Sequence, residues 1–356
     1  MSATPPTPNR PQPPRRAVAA GLAGLAGWAA AALAGCSSAP PAPVASTSRA
    51  PSSSSSSTRP VPATTRATTA AASPYTRLTG GPVLAAKIDN TSASRPRTGV
   101  WLADVVYVEP VEAGLTRLLC VWSSRMPGEI GPVRSGRETD VDLLANYGKV
   151  AFAFSGGSAA TVAALEAGNQ VDLSNDASPV GFYRAGNRRA PYNVIGRTAA
   201  LLARAGGSVR PGDPGFRFGP APTGGQAATR VATSWQASRI DLAYDAARHA
   251  WRVVIDGVPD SDADGTPHYA GSVVVQHVPV RQSSNVDVNG VHTPLATVIG
   301  SGPAEVLRDG RVWRGTWSRS SAAAPTSFRV GAQVMSMARG PVWVLLVPQG
   351  QAVTIA

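Results

Sequence analysis

Three arginines, Arg117, Arg134 and Arg137, and the run Ser155-Gly156-Gly157-Ser158 are the residues of this sequence best suited to hold an anion. Arg134 and Arg137 stand three apart around Ser135, near the start of a segment with helical spacing. Their planar guanidinium forks match a phosphate or carboxylate, and Arg117 could join them from a neighbouring strand. A Ser-Gly-Gly-Ser turn entering a helix leaves N–H groups without intrahelical partners, and the helix dipole favours negative charge there. Glycine at 156 and 157 lets a ligand approach the backbone. Asp89-Asn90 closes the first apolar strand and Glu112 lies beside Thr116-Arg117 at a hairpin turn, so more polar residues gather at strand ends. The same residues also admit a structural reading, a tight turn with the arginines paired to Glu109, Glu112, Asp140 and Asp142. Catalysis would need a base or metal ligands near the arginines, and only Asp89, Asp104, Glu109 and Glu112 are candidates. There is no nucleophile elbow of the Gly-x-Ser-x-Gly type and no Ser–His–Asp order. His249, His268, His277 and His292 lack metal-ligand spacing, so no metal or cofactor is expected.

These side chains need strands and turns to place them. Val83 to Ile88 reads as a short apolar strand, and Asp104–Val111 and Leu115–Trp122 as an antiparallel pair around Glu112-Ala113-Gly114. Glu138–Tyr147 has helical spacing and stops at Gly148, Val150–Phe154 is a buried strand, a helix follows Ser158 to Ala167, and Thr198–Ala205 is another short helix. Strands alternating with helices around a hairpin predict a mixed-sheet α/β domain over 77–215. Pro211-Gly212-Asp213-Pro214-Gly215 punctuates the chain. Beyond it β-branched runs separated by Asp256-Gly257, Asp264-Gly265, Asn289-Gly290 and Asp309-Gly310 predict a mostly-β domain over 216–356. There, Trp313 and Gly315-Thr316-Trp317-Ser318-Arg319 either stack on sugars from a β surface or pack the core, and core packing is the favoured reading.

The 356 residues carry a formal charge of +12, but unevenly. Residues 1–80 contain seven arginines and no acid, whereas the rest holds 26 basic and 21 acidic residues, about +5. No basic run interleaved with aromatics occurs in the folded part, so nucleic acid is not an expected partner. Arg10, Arg15 and Arg16, the apolar stretch Ala17–Gly35 and Leu33-Ala34-Gly35-Cys36 form a secretory signal ending at a lipobox. Residues 1–36 are therefore read as a lipoprotein signal with Cys36 as the lipidation site. Residues 37–76, rich in Ser, Thr, Pro and Ala, are read as a disordered tether. Cys120, in the run Leu118-Leu119-Cys120-Val121, is expected to be a buried thiol with no disulfide.

Ile88-Asp89-Asn90, Arg95-Pro96, Ala103-Asp104-Val105-Val106-Tyr107, Glu112, Thr116-Arg117, Ile130-Gly131-Pro132-Val133-Arg134-Ser135-x-Arg137 and Gly156-Gly157-Ser158 together resemble the YerB-like lipoproteins. Gly300-x-Gly302-x-Ala304, Asp309-Gly310 and Gly315-Thr316-Trp317-x-Arg319 look like that family's C-terminal domain. The resemblance covers about 80–350 and implies the domain boundaries and the membrane address, without an established activity. The sequence departs from the pattern at Tyr192, where a histidine is expected, and at Ala113, where glycine is usual. Ala103-Asp104, Pro132-Val133-Arg134 and Phe152-Ala153 before Gly156-Gly157 are reminiscent of the LytR-CpsA-Psr phosphotransferases, although the aspartate that would follow Pro-x-Arg is missing.

The expectation is a lipoprotein anchored through Cys36 on the extracytoplasmic face of the cell membrane. It would be non-catalytic and bind an anionic cell-wall polymer or precursor, or an envelope protein. The expected anion site comprises Asp89, Asn90, Glu112, Arg117, Arg134, Ser135, Arg137, Ser155, Gly156, Gly157 and Ser158. The alternative is an envelope phosphotransferase or hydrolase.

Overall fold

A computed structural model describes residues 81–287 and 289–356. Cys36, the signal segment and the tether expected at 37–76 lie outside the described residues. Strands dominate, with three α-helices of eight residues each among the described residues. The mixed-sheet α/β first half and mostly-β second half are both present.

One mixed sheet of twelve strands organises the described chain. Its first-half members are β1 (Leu84–Asp89), β2 (Val105–Pro110), β3 (Thr116–Trp122), β4 (Ala151–Phe154) and β5 (Val171–Ser174). β3 runs antiparallel to both β1 and β2, whereas β1, β4 and β5 run parallel. The carboxyl ends of β1, β2, β4 and β5 therefore open at one edge of the sheet, the edge where open α/β sheets hold their ligands.

The second half adds β6 (Arg230–Trp235), β7 (Ser238–Asp245), β8 (Ala250–Ile255), β9 (Ser272–Val278), β10 (Val280–Val286), β11 (His292–Ala296), β12 (Gly300–Arg308), β13 (Arg311–Arg319), β14 (Val342–Pro348) and β15 (Val353–Ile355). β14 lies between β2 and β9, parallel to both, with Val105 opposite Val342 and Val108 opposite Leu345. Elements on either side of residue 215 are thus hydrogen-bonded into the same sheet. β15, β6, β7 and β8 form a separate antiparallel sheet, and β10–β11 is an isolated hairpin.

β1, β3, β9 and β14 read as continuous apolar runs because both faces of the large sheet are covered. Ala86, Ile88, Leu118, Cys120, Trp122 and Trp343 face the antiparallel sheet, in one core with Ile240, Leu242 and Trp251. Ala85, Tyr107, Leu119, Phe152 and Val344 face the other way, onto Leu143 and Leu144 of helix α1 (Glu138–Ala145), Tyr147 just after it, and Leu165 of α2 (Ala159–Glu166). Cys120 is a free buried thiol whose pKa burial pushes well up. Trp317 is fully buried with its indole N–H donating to the His277 carbonyl. Arg319 is buried on the carbonyls of Asp142, Ser321 and Ala322. Both therefore belong to the core.

Candidate functional site

The helix-facing side of β1, β2 and β3 turns polar toward the open edge. Lys87 and Asp89 alternate on β1, and Arg117 lies opposite both Asp89 and Glu109 in register. The inner row is sealed. Lys87, fully buried, donates to Glu109 Oε1 at 2.6 Å and Asp140 Oδ1 at 2.5 Å. Burial, reinforced by the charge of Asp140, pushes Glu109 up to about 8 despite Lys87. Asp140 Oδ2 also accepts from the Arg137 N–H at 2.7 Å, which fixes the start of α1.

The outer row opens into a cavity of about 580 Å³. Its lining includes Asp89, Glu112, Arg117, Arg134, Ser135, Arg137, Gly156, Gly157 and Ser158, nine of the residues expected at an anion site. They converge because the segment after the Ile88–Val133 bridge is laced to the β4–α2 turn. Arg134 N donates to the Lys87 carbonyl, Ser155 N to the Arg134 carbonyl and Gly136 N to the Gly156 carbonyl. Gly156 holds φ +85, and a Cβ there would sit 3.3 Å from Ser135 Oγ, so glycine is required by the turn itself. Gly157 is exposed. Ser158 caps α2 by accepting from Thr161 N at 3.2 Å. The N–H groups of Gly156 and Gly157 make no hydrogen bond among the described residues.

Two expected site residues lie elsewhere. Asn90 is buried behind the edge, its amide donating to Thr116 Oγ1 at 2.6 Å and its oxygen accepting from Arg97. Ser155 is held by Asn175 Nδ2 at 3.3 Å and does not line the cavity. A short polar side chain after a strand reads the same whether it points inward or out, so the sequence could not separate these two from the rest.

The arginines divide. Arg137 donates through Nε and a terminal nitrogen to Glu112 Oε2, while Glu112 Oε1 accepts from Thr293 at 2.7 Å. The Glu112 carboxyl is lowered by Arg137 although burial opposes it. Arg134 Nε lies 2.9 Å from Asp89 Oδ2, within ion-pair range but off hydrogen-bond geometry. Its guanidinium also covers the Tyr192 ring at 5.4 Å, so the departure from histidine at 192 supplies a stacking platform. Glu112 and Asp89 are thus counter-ions. Glu109 and Asp140 serve Lys87 instead of an arginine, and Asp142 offers its carbonyl to Arg319.

Arg117 has no ion-pair partner among the described residues. Its one hydrogen bond goes to the Ser135 carbonyl at 3.3 Å. Burial and the charges of Arg137 and Arg134 disfavour its cationic form, only partly offset by Asp89 and Glu112. A guanidinium stays charged at such a site, so an electrostatic demand for an anion is left standing at the cavity wall. Sequence reasoning missed two acids of the lining, Asp176 after β5 and Asp287 at the tip of the β10–β11 hairpin. Neither carried a motif, and the hairpin tip arrives from the other half of the chain.

The comparisons with known proteins agree with this fold. Residues 67–210 match the family model described as "Protein of unknown function (DUF3048) N-terminal domain", and residues 230–344 match its C-terminal counterpart. The putative lipoprotein YerB of Bacillus subtilis (strain 168) is 34% identical over 112 residues, so the aligned stretch spans 31% of this chain and 33% of that relative. The crystal structure of YerB protein from Bacillus subtilis superposes with a TM-score of 0.67 at 21% identity, covering 78% of this chain and 95% of that one, which shows a shared fold. With both domain models matched in order and the same architecture beneath them, this chain belongs to the DUF3048 family, to which the YerB resemblance in its motifs had pointed.

Proposed function

We propose that this chain is a lipoprotein anchored through Cys36 on the extracytoplasmic face of the membrane. In this reading it binds, without catalysis, an anionic group of an envelope ligand in the Arg117 cavity. The lipobox and the name of the Bacillus relative support the anchor. One observation carries the ligand class: Arg117 is a half-buried cation on a cavity wall, beside two arginines already paired and with no carboxylate of its own. An anion there would receive Arg117 together with the free N–H groups of Gly156 and Gly157. Binding is favoured over phosphotransfer because two of the four lining acids, Asp89 and Glu112, are committed to Arg134 and Arg137 and a third, Asp287, is held by the N–H groups of Asn289 and Val291, which leaves Asp176 alone as a base.

Calorimetric titration with inorganic phosphate and pyrophosphate tests the site. Losing one charge-assisted contact costs about 1.5–3 kcal/mol, so Arg117→Ala should weaken binding by roughly ten- to a hundred-fold. Equal affinity of the variant and the parent chain would remove the site. Metabolic labelling with an alkyne fatty acid tests the anchor, with Cys36→Ala expected to abolish the label.

A further inference from the structure

The positive excess of the folded part has a single source. Residues 177–212 contain six arginines and no aspartate or glutamate. Outside that segment the chain after residue 80 holds 20 basic and 21 acidic residues and is nearly neutral. The guanidinium groups of the segment are held mainly by neutral groups. Arg197 lies over the Tyr183 ring at 4.5 Å. Arg184, next to Tyr183, donates to Asn193 Oδ1 at 3.0 Å. Arg188 donates to the Ser94 carbonyl at 3.0 Å, and Arg204 to those of Ser178 at 2.9 Å and Ser174 at 3.1 Å. Arg189 is exposed. These are neutral acceptors, which orient a guanidinium without cancelling its charge. Among the described residues the one carboxylate in contact is Glu129, 3.8 Å from Arg197 and already accepting from the Tyr183 hydroxyl.

The same segment presents the most exposed large apolar residue of the described chain, Val180 at 61%. It follows exposed Pro179, and Arg204 braces its loop from beneath. An apolar tip on a basic segment suits an interface that offers negative headgroups at its surface and hydrocarbon just below. A hydrated polyanion would use the arginines and leave Val180 in water.

We propose that this arginine face docks on an anionic lipid surface, with Val180 entering the headgroup layer, and so sets how the anchored domain stands on its own membrane. The proposal rests on the membrane-anchored reading for its setting. About forty residues, 37–76, separate Cys36 from the folded part. A random coil of that many residues spans roughly 35 Å, a length that would not by itself select the face that meets the bilayer. Headgroup attraction acts only within about 10 Å at moderate salt, which would make the choice of face decisive.

The test places an environment-sensitive fluorophore on the full chain at Val180→Cys and, as control, at exposed Val258→Cys on the antiparallel sheet. In vesicles containing phosphatidylglycerol the probe at 180 should shift to the blue and escape iodide quenching. In pure phosphatidylcholine it should do neither, and the probe at 258 should stay quenched in both. High salt on the parent sequence and the triple variant Arg184→Glu/Arg189→Glu/Arg197→Glu should each abolish the protection, so the result does not hang on one variant folding. Equal quenching at 180 in the two lipids, or equal protection at 180 and 258, overturns the proposal. So does capture of soluble polyphosphate with no protection in phosphatidylglycerol. Fatty-acid labelling of the same preparation separates the two ideas: lipid-dependent protection without acylation would remove the anchor and keep the face.

Discussion

Two arginines show how differently the chain treats a cation inside its fold and one at its edge. Arg97, fully buried, has every arm of its guanidinium occupied: Nε on the Asp89 carbonyl at 2.9 Å, one terminal nitrogen on both carboxylate oxygens of Asp260, the other on Asn90. Asp260 in turn accepts from His268 Nδ1 at 2.7 Å. His268 Nε2 lies 2.7 Å from Asp262 Oδ1, and Asp262 receives the N–H groups of Gly99 and Val100. Arg117 has one carbonyl and two like-charged neighbours. Buried charges are tolerated when their hydrogen-bonding capacity is filled. The filled network joins segments 89–100 and 260–268, one from each half of the chain, so it fastens the fold. The unfilled one faces a cavity, where the missing partner can be a ligand.

The largest expected effect breaks the filled network. Arg97→Ala would leave Asp260 buried beside a cavity, and removing one partner of a buried pair costs about 3–5 kcal/mol. Urea unfolding should show a loss of that order, whereas Arg117→Ala should change stability by less than about 1 kcal/mol, because it removes a cation repelled by Arg134 and Arg137. Similar losses for the two variants would erase the distinction between fastening and binding.

The pH dependence sharpens it. Burial opposes a charged His268, yet its hydrogen bonds to Asp260 and Asp262 outweigh that and raise its pKa. Its contribution to stability is therefore full below the ordinary histidine value and is lost as pH rises through the raised one. Glu109, raised to about 8, acts in the same sense, since the fold binds a proton that the unfolded chain releases near 4.5. Asp260, held down at about 2 by Arg97 and His268 against burial, protects the acid side until pH falls through that value. Thermal unfolding should therefore show a declining midpoint from mildly acidic pH to above 8. His268→Gln should flatten the part of that decline near and above neutrality. A midpoint flat from pH 5 to 9 would contradict both networks.

Much of this was legible in the sequence because periodicity reports burial. β1, β2, β3, α1 and the helix over Thr198–Ala205 stand within a residue or two of their expected positions. Glycines and arginines at strand ends marked the cavity, because turns and ends are where polar groups must go. What stayed hidden was long-range. Nothing local in Val342–Pro348 says that it pairs with both Val105–Val108 and Ser272–Val278. His268 carries no motif, and its role exists only because Asp260, Asp262 and Arg97 are brought to it. Arg134 and Arg137 looked like the leading anion ligands by spacing. Their counter-ions, Asp89 and Glu112, come from other strand ends, so only the folded arrangement shows that Arg117 is the one left over.

The smallest expected effect concerns backbone instead of charge, and it contrasts the same two regions. Near the Arg97 network the chain enters a left-handed turn at Gly99, φ +81, where a Cβ would lie 2.4 Å from the Glu129 carbonyl oxygen. Glycine is the residue that fits. At the cavity rim the turn Glu112–Gly114 places Ala113 at φ 57, ψ 26, also left-handed, with a side chain present. A left-handed alanine costs about 1–2 kcal/mol. Replacing it by glycine returns about 0.4–1 kcal/mol of that to the freer unfolded chain. Ala113→Gly should therefore stabilise the protein by roughly 0.5 kcal/mol, read as a small rise in the urea midpoint at unchanged slope. The methyl group is exposed and lines the rim beside Glu112, so phosphate affinity should barely move if the turn's shape is what matters. A variant that is less stable would mean that the alanine side chain earns its strained place by contacts. One that is more stable but binds phosphate more weakly would mean that its stiffness holds Glu112 on Arg137 and thereby keeps Arg117 unpaired.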